Sequence, residues 1–135
     1  MVKPPAGSER CLCTSGLPWD DCCGPVLVGA RPAPTAEALM RSRFTAFAIG
    51  DRDYLLRSWH PRTRPEHLDL DDTLRWYRLD IESHEGGSPF ESNGEVTFTA
   101  FYRLDDGEPA TLSERSRFER LKGRWVYVDG VVSQE

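Results

Sequence analysis

Apolar residues change their spacing near the middle of the chain. Between residues 36 and 59 they recur every three or four positions, as on one face of a helix, whereas from residue 77 onward they alternate with polar residues. The first spacing predicts amphipathic helices, and the second predicts half-buried strands. Helices followed by an antiparallel meander give an α+β fold, with the helices packed on one face of the sheet.

Two helices are predicted in the first half of the chain. Thr35 can cap a helix that runs to about Ile49, and Gly50 can end this helix in a left-handed conformation. Asp51 can cap a second, shorter helix that runs through Trp59 and stops before the next proline. These two helices are expected to cover the sheet.

The segments around the two helices predict less regular structure. Residues 18–21 indicate one short helical turn, which the glycine and proline at 24–25 are expected to end. Residues 25–34 contain prolines and a glycine and predict a linker. Residues 61–68 predict a loop, and residues 69–74, which begin with an acidic residue, predict a third short helix.

Four strands are predicted in the second half. Their apolar positions alternate over residues 77–82, 96–104, 112–120 and 125–128. Glycine-containing pairs typical of tight turns separate them at residues 86–87, 93–94, 106–107 and 122–123. Short connections of this kind predict that each strand pairs with the next one along the chain.

Length and charge narrow the class of protein. The 135 residues suffice for one domain with its own core and a small appendage. The 22 acidic residues outnumber the 17 basic ones, so nucleic acid is not expected as the main partner. No apolar run approaches the roughly 20 residues of a membrane span, and we expect a cytoplasmic protein with no membrane partner.

A local group of basic residues stands apart from the acidic whole. Its members lie close together along the chain, on the third predicted strand and the turn after it, and are Arg115, Arg117, Arg120, Lys122 and Arg124. Such a group can contact RNA or an acidic protein, but charged residues also protect an exposed strand edge from pairing with other chains. The protected edge is the interpretation that we favour.

Four cysteines near the N-terminus are the most specific chemical signal. They are Cys11, Cys13, Cys22 and Cys23, and the chain has no other cysteine. Four thiols this close in sequence can enclose one tetrahedral ion, and a closed shell of four sulfurs is the usual structural site of zinc. We therefore predict a zinc knuckle over residues 1–30.

Two other uses of the cysteines compete with zinc. Two disulfides would require an oxidising compartment, but residues 1–10 lack the apolar segment of a signal peptide. Adjacent cysteines would also bridge to the first pair only with strain. A redox-active pair would need Cys11 and Cys13 alone and leaves the second pair without a role.

Six segments resemble known families. Residues 11–16 and 22–24 resemble the SEC-C motif, a small zinc knuckle. The other four segments resemble the YchJ family of small bacterial proteins and are Leu39–Phe44, Asp53–Pro61, Glu114–Phe118 and Trp125–Gly130. Leu12 and Thr14 stand where the motif usually has proline and glycine, so the first turn is expected to differ in shape.

The resemblance implies a fold and a metal site but no reaction. It implies the cone of the nuclear-transport-factor-2 superfamily for residues 31–135, a fold that often dimerises through its sheet face. The SEC-C motif implies zinc as the cofactor. It also implies a protein or ribosomal partner for the knuckle, where Trp19 is the large apolar side chain available for contact.

One carboxylate is predicted on the core face of the third strand. Glu114 shares its parity with Leu112 and Phe118, the bulky apolar residues of that strand. A buried carboxylate needs a partner, and Arg43 on the first long helix is the predicted one, with Arg41 as the second choice. The pair would either hold the strand in register or form an anion-recognising or acid–base site at the mouth of the cone.

Three further residues complete the candidate lining of the cone: Tyr54, Trp59 and His60. Tyr54 and Trp59 are more typical of a plain core, and His60 is expected by default to interact with the C-terminal end of the second helix. The sequence contains no nucleophile with its base, no phosphate loop and no pair of carboxylates. No catalytic residue is therefore predicted, and whether the protein is an enzyme stays open.

Two functions follow from these features. The first is a non-catalytic adaptor or interaction module that presents its zinc knuckle to a partner. The second is a small-molecule binder or enzyme that uses a polar-lined cone. A filled cone with an exposed Trp19 indole would favour the first, and an apolar cavity with convergent polar groups would favour the second.

Overall fold

One long helix packs against a four-stranded sheet in the computed structural model, which describes residues 1–132. The helical elements are a 3-10 turn, Trp19–Asp21, and the helices α1 Cys23–Leu27, α2 Ala36–Ile49 and α3 Arg52–Arg57. The strands are β1 Arg75–Gly86, β2 Asn93–Arg103, β3 Pro109–Leu121 and β4 Arg124–Val132. Helices precede strands, which confirms the predicted α+β fold.

The sheet is an antiparallel meander in the order β1-β2-β3-β4, as the short connections predict. Val96, Phe98 and Ala100 of β2 are buried on its inner face. Phe98 pairs with Glu114 in the register of β2 and β3, so the carboxylate faces inward as its parity predicts. The register between β3 and β4 shifts after Arg117, and such a bulge bends the sheet around its contents.

Helix α2 covers the inner face of the sheet, and its predicted ends are confirmed. The hydroxyl of Thr35 accepts a hydrogen bond from the backbone N–H of Ala38 at 3.0 Å. Gly50 ends the helix with a φ of 80°, in the left-handed region that glycine adopts without steric cost. Phe44 of α2 meets Trp76 of β1 edge-on, with 6.2 Å between ring centroids.

Two predicted helix boundaries are wrong. Helix α3 ends at Arg57 rather than Trp59 because the next residues pair with the exposed edge of β4. The backbone N–H of Tyr127 donates to the carbonyl of Ser58, and the N–H of His60 donates to the carbonyl of Tyr127. Near the N-terminus, the glycine and proline at 24–25 do not end a helix but lie inside the first turn of α1, where a missing N–H costs little.

The third predicted helix, at residues 69–74, is also wrong. The carboxylate of Asp71 accepts a hydrogen bond from the backbone N–H of Thr73 at 3.0 Å, which closes a turn without a helix. Strand β1 begins directly afterwards at Arg75. An acidic residue at the start of a segment caps a turn as readily as a helix.

The basic group on β3 and β4 is engaged with neighbouring groups. Arg117 makes two hydrogen bonds of 2.6 Å with Asp129 across the strands. Arg120 stacks on Trp125 at 4.7 Å and donates to loop carbonyls, among them that of Glu91 at 3.0 Å. The favoured interpretation of a protected strand edge is wrong for the arginines on β3, because this strand pairs with a neighbour on both sides.

The described residues contain no helix that is both long and apolar enough to cross a membrane.

The cysteine-rich segment is attached to the edge strand β1 by a single side chain. Thr14 has a φ of 61°, a left-handed conformation that is unusual for a β-branched residue. Its hydroxyl accepts a hydrogen bond from the backbone N–H of Leu79 at 3.1 Å and lies 3.0 Å from the carbonyl of the same residue. Threonine stands here in place of the glycine that is usual in the SEC-C motif. Its hydroxyl can therefore form a hydrogen bond with the edge strand β1.

Replacing Thr14 with Val should lower the free energy of unfolding by about 1–2 kcal/mol, because the hydrogen bonds to Leu79 are lost while the β-branched shape is kept. Urea unfolding of the metal-loaded protein measures the change. The Thr14→Ser variant keeps the hydroxyl and serves as the control. Equal stabilities of the two variants would contradict this role of the hydroxyl.

Replacing Phe118 with Ala should destabilise the fold by about 3–5 kcal/mol, because this side chain is 1% exposed and its loss leaves a cavity in the core. Phe90 is the matched control, since it is 96% exposed and its replacement by Ala should change stability by less than about 0.5 kcal/mol. Similar midpoints of thermal unfolding for both variants would show that the core is placed wrongly.

Candidate functional site

The four cysteines come together at the junction of the N-terminal segment and helix α2. All four sulfur atoms lie within 4.8 Å of one another, and those of Cys13 and Cys22 are 3.5 Å apart. In a tetrahedral zinc site with bonds of about 2.3 Å, the sulfurs are separated by roughly 3.8 Å. All four cysteines are free thiols, which argues against the disulfide alternative. The arrangement therefore fits a single four-coordinate metal ion.

Local backbone geometry explains how the sequence builds this cluster. The N–H of Cys11 donates to the carbonyl of Leu17 at 2.8 Å, and this contact closes a small loop that carries the first two cysteines. Gly16 has a φ of 91° inside the loop, a conformation that disfavours other residues. The 3-10 turn Trp19–Asp21 then leads directly to Cys22 and to Cys23 at the start of α1.

Side chains around the cluster donate hydrogen bonds toward sulfur. The hydroxyl of Thr45 lies 3.4 Å from the sulfur of Cys23, and the hydroxyl of Ser15 lies 3.3 Å from that of Cys22. Arg41 donates from Nη1 to the carbonyl of Cys13 at 3.1 Å. Contacts of this kind orient metal ligands and balance the negative charge of thiolates.

Hydrogen bonds within the cluster divide the thiols into donors and acceptors. The bond with Cys11 lowers the pKa of Cys13 below its usual range and lowers the pKa of Cys22 to about 6. Hydrogen bonding within the cluster raises the pKa of Cys11 and of Cys23. The four thiols therefore influence one another's protonation, and a metal ion that bound them would displace their protons.

The indole of Trp19 is turned toward the protein's own core. It is half-buried and packs against the same buried cluster that contains Cys23 and Phe118. A Cβ atom at Gly24 would lie 2.7 Å from its Nε1, so the close approach of the indole to α1 depends on glycine. Trp19 thus attaches the cysteine segment to the domain, and its predicted contact with a partner stays a prediction.

A second site lies between helix α2 and the inner face of the sheet. It is a partly open cavity of about 180 Å³. Most of its wall is apolar or aromatic, and the polar exceptions come from α2, β3 and β4. The cavity lining includes Arg43, Trp59, Trp76, Ala100, Glu114 and Tyr127.

Arg43 is the most unusual residue of the cavity. It is 3% exposed, and its Nη1 donates to the carbonyl of Leu55 at 2.8 Å and to the hydroxyl of Ser58 at 2.7 Å. Its guanidinium carbon lies over two rings that contact each other, 4.8 Å from the Trp59 ring centroid and 4.5 Å from that of Tyr127. Burial lowers its pKa to about 10, so it remains a cation at neutral pH.

The predicted ion pair between Glu114 and Arg43 is wrong. Within residues 1–132, no carboxylate lies within 4.0 Å of the Arg43 guanidinium, and Glu114 instead accepts a hydrogen bond from the Ser116 hydroxyl at 2.5 Å. The second choice is wrong as well, because Arg41 pairs with Glu37 at 3.1 Å and faces the cysteines. The Arg43 guanidinium instead contacts the rings of Trp59 and Tyr127.

Two other predicted cavity residues lie elsewhere. Tyr54 is buried on the other side of α2, and its hydroxyl is 2.5 Å from that of Ser42. His60 is 8% exposed, accepts a hydrogen bond at Nδ1 from the N–H of Arg62, and lies 3.7 Å from Glu119. It lies beside β4 and not at the end of α3. Trp59 does line the cavity, as predicted.

Sequence reasoning missed Tyr127 and the indole nitrogen of Trp59. Nε1 of Trp59 is the buried side-chain donor that has no hydrogen-bond partner in the described part of the chain. Tyr127 shares its strand parity with the buried Trp125, a signal in the sequence that places both on the inner face. Burial raises the pKa of Tyr127 to about 12, so it is a neutral phenol.

Comparison with known proteins places the chain in a family. The family model described as "YchJ, middle NTF2-like domain" matches residues 35–130. A UPF0225 protein of Corynebacterium efficiens is 53% identical over 126 residues, covering 93% of this chain and 95% of that protein. A UPF0225 protein of Streptomyces coelicolor is 53% identical over 130 residues, covering 96% and 97%.

Two solved structures share the whole architecture. A SEC-C motif containing protein from Rhodopseudomonas palustris is 34% identical with a TM-score of 0.82, covering 93% of this chain and 100% of that chain. A sec-c motif containing protein from Psychrobacter arcticus is 25% identical with a TM-score of 0.70, covering 97% and 82%. The chain therefore belongs to the YchJ family, also named UPF0225, and combines an N-terminal SEC-C-type cysteine cluster with an NTF2-like domain.

Proposed function

We propose that this protein binds a small organic molecule in its cone cavity and that a structural zinc ion in the cysteine cluster stabilises the wall of that cavity. The observation that carries the proposal is Arg43, a buried cation at an apolar cavity with no carboxylate within 4.0 Å among the described residues. Proteins seldom bury such a charge without a partner. A bound ligand would supply one.

Zinc is the ion that the cluster suits best. Four sulfur donors in one closed shell are typical of structural zinc, whereas catalytic zinc sites keep one position for water or substrate. Three of the four cysteines are buried, which further favours a structural role. When bound, zinc would supply cross-links between the loop that carries Cys11 and the start of α1, and no reaction is assigned to it.

Helix α2 connects the two sites. Thr45 and Arg41 contact the cysteines, while Arg43, between them in sequence, points to the cavity. The metal would therefore hold in place the helix that positions the cavity cation. The alternative role as an interaction module has less support, because Trp19 packs against the protein's own core and the cone is not filled. A protein or ribosomal partner, and a homodimer, remain predictions.

Native mass spectrometry of untagged protein should show one zinc per chain, lost on denaturation, because the four thiolates form one closed site. The Cys13→Ser variant, which removes the most enclosed sulfur, should lose the metal. Removing zinc with a chelator should lower the unfolding temperature, since Cys11, Val26 and Leu27 belong to the common core. A metal-free mass reduced by four hydrogens, as two disulfides require, would contradict the zinc site.

Filling the cavity should abolish ligand uptake without affecting zinc. Ala100 lies in the cavity wall, so a methionine at this position should occupy the space that a ligand needs. Isopentanol serves as a small neutral probe, and NMR titration should give shift changes at cavity residues in the wild type but not in Ala100→Met. The Thr97→Met variant, on the outer face of the same strand, is the control. Absence of any shift with millimolar probe would contradict a binding cavity.

A further inference from the structure

We infer that the ligand of the cone cavity is a small apolar zwitterion, a carboxylic acid that also carries an amine, such as a free aliphatic amino acid. The inference rests on the cavity function proposed above and adds the chemistry of the ligand. The Arg43 guanidinium and the Trp59 indole N–H would bind the carboxylate, and the Glu114 carboxylate would bind the ammonium group. The apolar body would lie against Phe98 and Trp76.

Two charged side chains of opposite sign line the cavity. Arg43 is positive, Glu114 supplies a carboxylate, and Tyr127 is a neutral phenol. The positive and negative groups influence each other electrostatically, yet their atoms are not within 4.0 Å. A ligand that carries both charges fits between them and leaves the buried site neutral. A ligand with a single charge leaves the cavity charged, which costs free energy in an apolar environment.

The hydrogen-bond inventory supports the same ligand. Among the hydrogen bonds of the described residues, Arg43 uses only Nη1, so its Nε and Nη2 donors have no protein acceptor. Nε1 of Trp59 is a buried donor without a partner in residues 1–132. These donors belong to adjacent groups, since the guanidinium lies 4.8 Å from the Trp59 ring. A carboxylate, with two oxygens and several lone pairs, can satisfy donors from both.

Glu114 offers the matching acceptor. Its Oε2 accepts from the Ser116 hydroxyl at 2.5 Å, which leaves Oε1 without a protein donor among the described residues. Gly130 lies beside it on β4, where a Cβ atom would come within 2.6 Å of the Glu114 carboxyl carbon. The side chain is therefore held against the strand with one oxygen available. An ammonium group is a donor of opposite charge that fits this oxygen.

Cavity size limits the apolar body. An apolar cavity of about 150 Å³ accommodates benzene, so the cavity of about 180 Å³ here suits a body of similar size with a short polar end. Leucine meets this limit, and three analogues of it lack one or both of its charged groups. These are 4-methylpentanoate without the amine, isopentylamine without the carboxylate, and isopentanol with neither charge.

Isothermal titration of the zinc-loaded protein with these four compounds tests the inference. Leucine should bind at least about tenfold more tightly than either singly charged analogue, since each charged hydrogen bond is worth roughly a factor of ten or more. Isopentanol binding as tightly as leucine would overturn the inference and leave the proposed binding function intact. Tighter binding of 4-methylpentanoate than of leucine would also overturn it. No binding of any of the four would overturn the proposed function together with it.

Two variants test which charged group of the ligand each cavity residue binds. Glu114→Gln should weaken leucine and isopentylamine at least about tenfold but leave 4-methylpentanoate no weaker, because only the ammonium partner is changed. Trp59→Phe removes the unpaired N–H with little change in packing, and should weaken leucine and 4-methylpentanoate but not isopentylamine.

Arg43→Met should weaken binding of the same compounds as Trp59→Phe does, by a larger factor. If the Arg43→Met protein fails to fold, the Glu114→Gln and Trp59→Phe variants still test the assignment. Arg115→Met on the exposed outer face is the control and should bind all four compounds like the wild type. Equal losses for all four compounds in Glu114→Gln and Trp59→Phe would overturn the assignment of the charges.

Discussion

Burial of the Arg43 guanidinium against two aromatic rings is the interaction on which much of this structure depends. It joins helix α2 to the end of α3 through Leu55 and Ser58, and to strand β4 through Tyr127. These carbonyl, hydroxyl and ring contacts offset part of the cost of removing a cation from water, but none of them carries a negative charge. The cavity beside Arg43 is therefore the place where a charged partner could bind.

The cysteine cluster and the cavity share one rigid element. Residues of α2 alternate between them, with Arg41 and Thr45 toward the sulfurs and Arg43 toward the cavity. Buried side chains from the cysteine segment belong to the same core as those of the sheet. The cysteine cluster and the cavity are therefore linked through the position of a single helix.

Predictions from the sequence were correct where a single residue and its near neighbours decide the backbone conformation. Thr35 and Gly50 ended α2 as predicted because caps depend on nearby backbone groups. The parity of β3 placed Glu114 inward because side chains alternate strictly along a strand. The predicted continuation of α3 failed because a distant strand edge competed for the backbone of Ser58 and His60. A sheet edge with unpaired groups is invisible in a local pattern.

The α+β order, the inner face of the sheet and the grouping of the four cysteines could be predicted from the sequence alone, since periodicity and close spacing act over a few residues. Which groups meet depended on how distant segments pack. Arg43 was expected beside Glu114 but contacts Trp59 and Tyr127 instead, and Trp19, predicted to contact a partner, packs partly against the domain's own core. Partners of a buried charge come from distant segments, and their competition for the same atoms is settled only when all of these segments pack together.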